Sequence, residues 1–270
     1  MANPGIGVIP VLEAVEWREP APGGGSKSQI FRLSDGNFAV VKFPENPQGE
    51  LVLANELLCC QLAERLGLPL NRARLVVIDE RIIRTPRQSG KMPADFSAGV
   101  RCGMLRFDQY ESCQPQDILT SCENASELHS VALFEQWVGR SDGQQLLMYP
   151  GPSKKKRFAA YDYGFAFGGQ PNWSAATLAA FAPPTLPSKS PFDGAEYKDG
   201  AEIRGTIELL GGLSKDDVSE SLGALFAPRW GVTAEALDAL IGCLIVRAQS
   251  LVQQFKERYV KQMEIPDVHD

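Results

Sequence analysis

The stretch FAVVKFPENPQGELVLANELLCCQLAERLG, residues 38–67, decides the fold. It opens as a short β-prone run, Phe38-Ala-Val-Val-Lys-Phe43, in which alternation puts Lys42 on a sheet face near the end of the strand. It continues as a helix: Leu51, Leu53, Ala54, Leu57, Leu58, Leu62, Ala63 and Leu66 recur at helical spacing, and Gly67 with Pro69 ends the run. A strand that ends in a lysine and feeds a long apolar helix suits a cleft with a cation at one wall. Glu56, fourteen positions after Lys42 and beside the apolar stripe, is the carboxylate best placed to orient that lysine, with Glu50 and Glu64 as competitors on the same helix. Where solvent reaches such a pair it adds little to folding, and its value lies in positioning phosphates.

Before this stretch, Gln29–Leu33 pairs naturally with residues 38–43 through Ser34-Asp35-Gly36-Asn37, a hairpin signal. After it, Arg74–Ile78 and Arg81–Ile83 read as strands. The order strands, helix, strands predicts a small α+β lobe. Residues 91–117 mix Gly, Pro and Cys with little periodicity, which places a junction near 100–110 and divides the chain into residues 1–104 and 105–270. Beyond it, Ser126–Val138 has a helical pattern, while Gln144–Met148 and Phe158–Tyr161 read as a second hairpin with Lys154–Arg157 in its turn. That basic turn is either a solvated loop tip or a contact for an acidic partner. Residues 170–200 are rich in Pro, Ser, Ala and Gly, and helices are predicted over Asp216–Phe226 and Thr233–Tyr259. The fold expected is α+β and two-lobed, with a β-rich N-terminal lobe and a mainly helical C-terminal one.

With 270 residues and 44% hydrophobic content the chain can build a sizeable core. A net charge of −6 and a pI near 5.2 offer no general attraction to nucleic acid or anionic membranes. No apolar run approaches the roughly 18 to 20 residues of a membrane span, and Met1–Pro10 lacks the basic start of a signal peptide, so a cytoplasmic protein is expected. The six cysteines show no CxxC spacing and only His129 and His269 could join them, which disfavours a zinc site. The same scarcity of imidazole disfavours Ser/His and Cys/His hydrolases. Catalysis is expected to rest on carboxylates.

Gly23-Gly24-Gly25-Ser26-Lys27-Ser28 precedes the first predicted strand, where backbone N–H groups can approach a phosphate without Cβ obstruction; the alternative is a flexible surface turn. It lacks a Walker ending and opens a strand rather than a helix, which disfavours P-loop chemistry. In the second half, Trp137-Val-Gly-Arg-Ser-Asp-Gly-Gln-Gln145 ends a helix in a polar loop, and Phe158-Ala-Ala-Tyr-Asp-Tyr-Gly164 follows one hairpin later. Phosphoryl transfer needs one carboxylate to orient the attacking hydroxyl and another to hold magnesium, with a carboxamide oxygen completing the metal shell. Asp142, Asp162 and Gln145 meet that need as a set, and Gly164 fits a turn that needs freedom from Cβ.

The phrases Val40-Val-Lys-Phe43, Leu53-Ala-Asn-Glu-Leu-Leu58, Leu66-Gly-Leu-Pro69 and Asp162-Tyr-Gly-Phe-Ala-Phe167 resemble HipA-like kinase sequence, over roughly residues 20–262. The resemblance implies a two-lobed kinase fold related to the phosphatidylinositol-kinase group, ATP and Mg2+ as cofactors, and a protein serine or threonine as acceptor. It implies Lys42 as the nucleotide lysine, Asp142 as the catalytic-loop aspartate and Asp162 as the metal aspartate. The family's catalytic loop commonly reads Asn-x-Asp with a later Asn; here it reads Arg140-Ser-Asp142 followed by Gln144-Gln145. Glutamine is one methylene longer than asparagine, so Gln145 is an auxiliary metal ligand at most. A silent nucleotide-binding pseudokinase, and a kinase or AMP transferase acting on a small molecule or lipid, are the alternatives.

Overall fold

Five strands between Val11 and Arg106 close a sheet on itself. The computed structural model describes residues 10–22, 25–85, 92–107, 109–168, 171–223 and 230–260. The strands β1 (Val11–Pro20), β2 (Gln29–Leu33), β3 (Phe38–Lys42), β4 (Ala73–Ile78) and β5 (Gly99–Arg106) run in the order β1-β2-β3-β5-β4, and β4 meets β1 again in parallel, Val11 opposite Leu75. The predicted hairpin is present, with Phe31 opposite Ala39. Trp17, Phe31, Leu33, Phe43 and Ile78 are buried together in one hydrophobic cluster of these strands.

Helix α1 (Leu51–Arg65) spans the predicted helix, but its packing differs from a one-sided stripe. Twelve consecutive residues, Val52 through Ala63, are buried, and its apolar side chains belong to the same core as those of the C-terminal half. A helix buried all round reads as nearly continuous apolar sequence, as this one does.

Two strand readings are corrected. Residues 81–83 lie in the short helix α2 (Glu80–Arg84), because the Asp79 side chain accepts from the Arg81 amide at 2.8 Å and caps it. A strand that pairs with β4 is instead β5, in a segment of little periodicity; Gly99, Cys102, Gly103 and Met104 blur its alternation, yet it pairs with β3 over Cys102–Arg106 and with β4 over Gly99–Met104. The long strand β1 was also not expected in what reads as a Pro/Gly-rich start.

The second half contains β6 (Glu111–Ser112), α3 (Pro115–Ser121), α4 (Glu127–Val138), β7 (Leu146–Pro150), β8 (Lys156–Ala160), α5 (Ala175–Ala179), α6 (Ala201–Gly211), α7 (Lys215–Gly223) and α8 (Ala234–Phe255), with one π-helical turn at Lys256–Val260. The β7–β8 hairpin matches expectation, Met148 opposite Phe158. Lys156 and Arg157 lie in β8 rather than in the turn, and they pair with Glu111 and Glu123, leaving Lys154 and Lys155 at the tip. Helix α6 was not expected from the sequence. Thr233 caps α8 as predicted, accepting from the Ala236 amide at 3.1 Å. Among the described residues, no helix is long and apolar enough to cross a membrane.

Candidate active site

The Lys42 ammonium joins the two halves of the molecule. Lys42 ends β3 with its side chain buried; Nζ donates to Glu56 Oε1 and, at 2.7 Å, to Asp162 Oδ1. The other oxygen of Glu56, Oε2, accepts from the Tyr163 amide at 3.0 Å. Glu56 is fully buried, whereas the competing Glu50 and Glu64 are exposed. Burial disfavours the charge on Lys42, but Glu56 and Asp162 outweigh it and hold the ammonium above its ordinary range. Burial raises the Glu56 carboxyl to about 6, against the pull of Lys42. For Asp162, which is half-buried, the burial penalty is overcome by Lys42 and its carboxyl sits below the usual value.

Asp162 leaves β8 with φ of +60°, in the left-handed region that a short polar side chain tolerates better than most. That conformation, and not Gly164, turns the chain. Gly164 matters for a different reason: a Cβ there would lie 2.9 Å from Val52 Cγ1 of α1, so the turn approaches the helix more closely than any other residue allows. Downstream, the Phe167 amide donates to the Val138 carbonyl at 2.8 Å and the Ser141 amide to Phe165 at 3.3 Å, which stitches this turn to the loop after α4.

That loop begins where Gly139, at φ of +67°, ends α4 in a left-handed cap. Arg140 Nε donates to Asp142 Oδ1 at 2.8 Å, its Nη1 to Glu135 Oε1 at 3.1 Å, and its guanidinium carbon lies 4.7 Å from the centre of the Tyr163 ring. Glu135 also accepts from Gln144 Nε2 at 3.1 Å and from the Tyr163 hydroxyl at 3.4 Å. Burial raises Glu135 to about 7 although Arg140 opposes it. In the sequence Arg140 stands out only as a departure from the family's loop, and Glu135 does not stand out. No pattern in the sequence marks Glu135; its spacing of five from Arg140, across a helix end, is the single local hint.

Lys42, Glu56, Asp162, Gln145 and Ser26 line one cleft of ≈480 Å³, together with Ile30, Val40, Met104, Leu147 and Tyr110. Asp142 is exposed on the neighbouring loop and is not part of the cleft wall. Gly25 sits against Gln48, where a Cβ would be 2.9 Å from Nε2, and does not line the cleft. Gly23 and Gly24 lie outside the described residues. A second hollow of ≈420 Å³ behind α1, lined by Gln61, Glu64, Arg72 and Arg74, holds none of these residues.

Asp162 and Gln145 bring one carboxylate and one carboxamide to the same cleft, hard oxygen donors suited to Mg2+. Among the described residues no group of three or more His, Cys, Asp and Glu is placed to enclose a metal. This donor set fits a magnesium ion that keeps waters and takes phosphate oxygens, and does not fit an all-protein cage.

The family model described as HipA-like kinase matches residues 14–168. No curated protein matches the chain significantly. Among solved structures, the Helicobacter pylori proinflammatory kinase CtkA superposes with a TM-score of 0.59 at 10% identity, covering 95% of this chain and 100% of that one. The Golgi casein kinase with Mn/ADP bound gives 0.50 at 11% identity, covering 93% and 75%. HipA of Shewanella oneidensis MR-1, solved with HipB and operator DNA, gives 0.48 at 14% identity, covering 94% and 68%. At these identities, the first two show the two-lobed kinase fold and nothing finer.

Proposed function

Because the chain belongs to the HipA-like kinase family, we propose that it is an ATP-dependent phosphotransferase whose acceptor is a serine or threonine hydroxyl of a protein. The observation that carries this reading is the Lys42 ammonium held between Glu56 and Asp162 at the wall of a cleft open to a nucleotide. Ile30, Val40, Met104 and Leu147 offer apolar surfaces for a planar base, and Lys42 offers its charge to the phosphates. Asp162, with Gln145 as an auxiliary, is the group we assign to Mg2+, which when bound would neutralise charge on the phosphate oxygens. Asp142 accepts the proton of the attacking hydroxyl as its oxygen bonds to the γ-phosphorus and ADP leaves.

A silent nucleotide-binding module is the second reading. The ion pair between Arg140 and Asp142 favours it, since it engages the carboxylate that would meet the acceptor. Intact-mass analysis after incubation with ATP and Mg2+ separates the readings without any guess of substrate. The kinase reading expects mass gains of whole phosphoryl groups, absent in Asp142→Ala. Gains of AMP would redirect the chemistry, and nucleotide binding with no gain on the protein or on added acceptors supports the silent module.

A further inference from the structure

One fully buried polar side chain has no part in the chemistry above. Asn55 stands on α1 immediately before Glu56 and is 0% exposed. Its Nδ2 donates to the Gly164 carbonyl at 2.7 Å, and its Oδ1 accepts from Trp173 Nε1 at 2.7 Å. Both ends of the carboxamide are therefore spent on the segment that follows Asp162. Burying a carboxamide is costly unless its hydrogen bonds are made, and apolar residues occupy most neighbouring positions of this helix. The polar residue here does what an apolar one could not, which is to fix the height of the turn against α1.

Two further contacts converge on the same junction, and a third ties down the far end of α1. Glu56 Oε2 takes the Tyr163 amide, Val52 leaves no room for a Cβ at position 164, and Arg65 at the far end of α1 pairs with Asp217 and, at 3.8 Å, with Glu220 of α7. Helix α1 is thus tied to the C-terminal half at both ends. Asp162 itself stands at φ of +60°, a conformation sustained by its surroundings rather than by its own preference.

We propose that Asn55 is a positioning residue for Asp162: by holding the Gly164 carbonyl to α1 it keeps the Asp162 carboxylate turned into the cleft, so that the arrangement Lys42–Glu56–Asp162 exists before nucleotide and magnesium arrive. The assignment rests on the kinase reading, because it concerns how Asp162 meets a magnesium–nucleotide. It distinguishes this chain's α1 from a helix that must swing inward to complete the site.

The test measures ADP binding by calorimetry across a magnesium titration, with the Trp173 indole N–H followed by NMR and assigned from Trp173→Phe. Asn55→Ala removes both bonds. Asn55→Asp keeps an acceptor for Trp173 and sets an oxygen against the Gly164 carbonyl. Both should raise the magnesium concentration for half-maximal effect by about tenfold or more, the usual cost of losing a group that orients a metal ligand. ADP affinity without magnesium should stay at the parental value. The Trp173 signal should move in Asn55→Ala and stay near its parental position in Asn55→Asp. Should Asn55→Ala fail to fold, Asn55→Asp supplies the comparison, with Trp173→Phe expected to keep parental magnesium dependence. Parental magnesium dependence in folded Asn55 variants, or an equal loss of affinity with and without magnesium, overturns the assignment alone. Absence of any magnesium-dependent ADP binding in the parent protein overturns the kinase reading and the assignment together.

Discussion

The Arg140 guanidinium is shared between two carboxylates, with Nε 2.8 Å from Asp142 and Nη1 3.1 Å from Glu135. Glu135 is partly buried on α4, its side chain 14% exposed, and Asp142 stands on the exposed loop. Where the resemblance leads one to expect asparagine, this chain has a cation that holds Asp142, the residue proposed to meet the acceptor hydroxyl. Asp142→Ala is expected to abolish phosphoryl transfer, by about 10²-fold or more, with ADP affinity retained. The Arg140 side chain is buried but keeps Glu135 as its partner, so the unpaired Nε left by the lost ion pair should cost about 1–3 kcal/mol and lower Tm modestly. Activity and melting curves on the same preparation check this; a large drop in Tm with activity spared would make Asp142 a structural residue.

Lys42→Met is expected to remove nucleotide binding and also to destabilise the fold. A pair that solvent reaches adds little to folding, but both partners here are buried. Leaving Glu56 buried without its cation should cost about 3–5 kcal/mol. Denaturant titration of Lys42→Met and of Lys42→Met/Glu56→Gln checks the cause: the second change should recover part of the loss.

The stability of the fold is expected to fall between pH about 4.5 and about 7. Burial raises Glu135 to about 7 and Glu56 to about 6 from an ordinary 4.5, so the folded chain holds these protons more tightly than the unfolded one. Their contribution is complete below the unfolded value and is lost as pH rises through the folded ones. Urea titrations at several pH values should show a shallower decline for Glu135→Gln than for the parent. An unchanged slope would mean that Glu135 is ionised throughout.

Gly164→Ala is expected to weaken nucleotide binding and to cost about 1–3 kcal/mol, because the added methyl meets Val52 Cγ1 at 2.9 Å and approaches Lys42 Nζ at 3.5 Å. Val52→Ala in the same chain should restore part of both. A double-mutant cycle with no coupling between the two positions would place the cost elsewhere.

The strand ending in Lys42, helix α1, the helix before Asp142 and the hairpin before Asp162 were legible because each carries its own periodicity or cap. Strand β5 and helix α2 were not. Cys, Gly and Met break the alternation of β5, and its identity comes from pairing with β3 and β4, more than twenty residues away. Ile82 and Ile83 are apolar and β-branched, yet the Asp79 side chain caps a helical turn that contains them.

At the site, the residue types were set by the sequence: a lysine on a strand, a glutamate on an apolar helix and an aspartate before a glycine. The choice of Glu56 over Glu50 and Glu64 could be argued from the apolar stripe, and burial settles it geometrically. Other relationships depend on long-range packing. Lys42 meets Asp162 across 120 positions and Asn55 meets Gly164 across 109. Such contacts leave no periodic trace, since side-chain patterning reports which face of an element is buried and not which distant element buries it. Nor does patterning reveal which residue bears a strained backbone: the glycine reads as the turn, whereas the left-handed conformation falls on Asp162 because the close packing of Gly164 on α1 leaves the turn to be made two residues earlier.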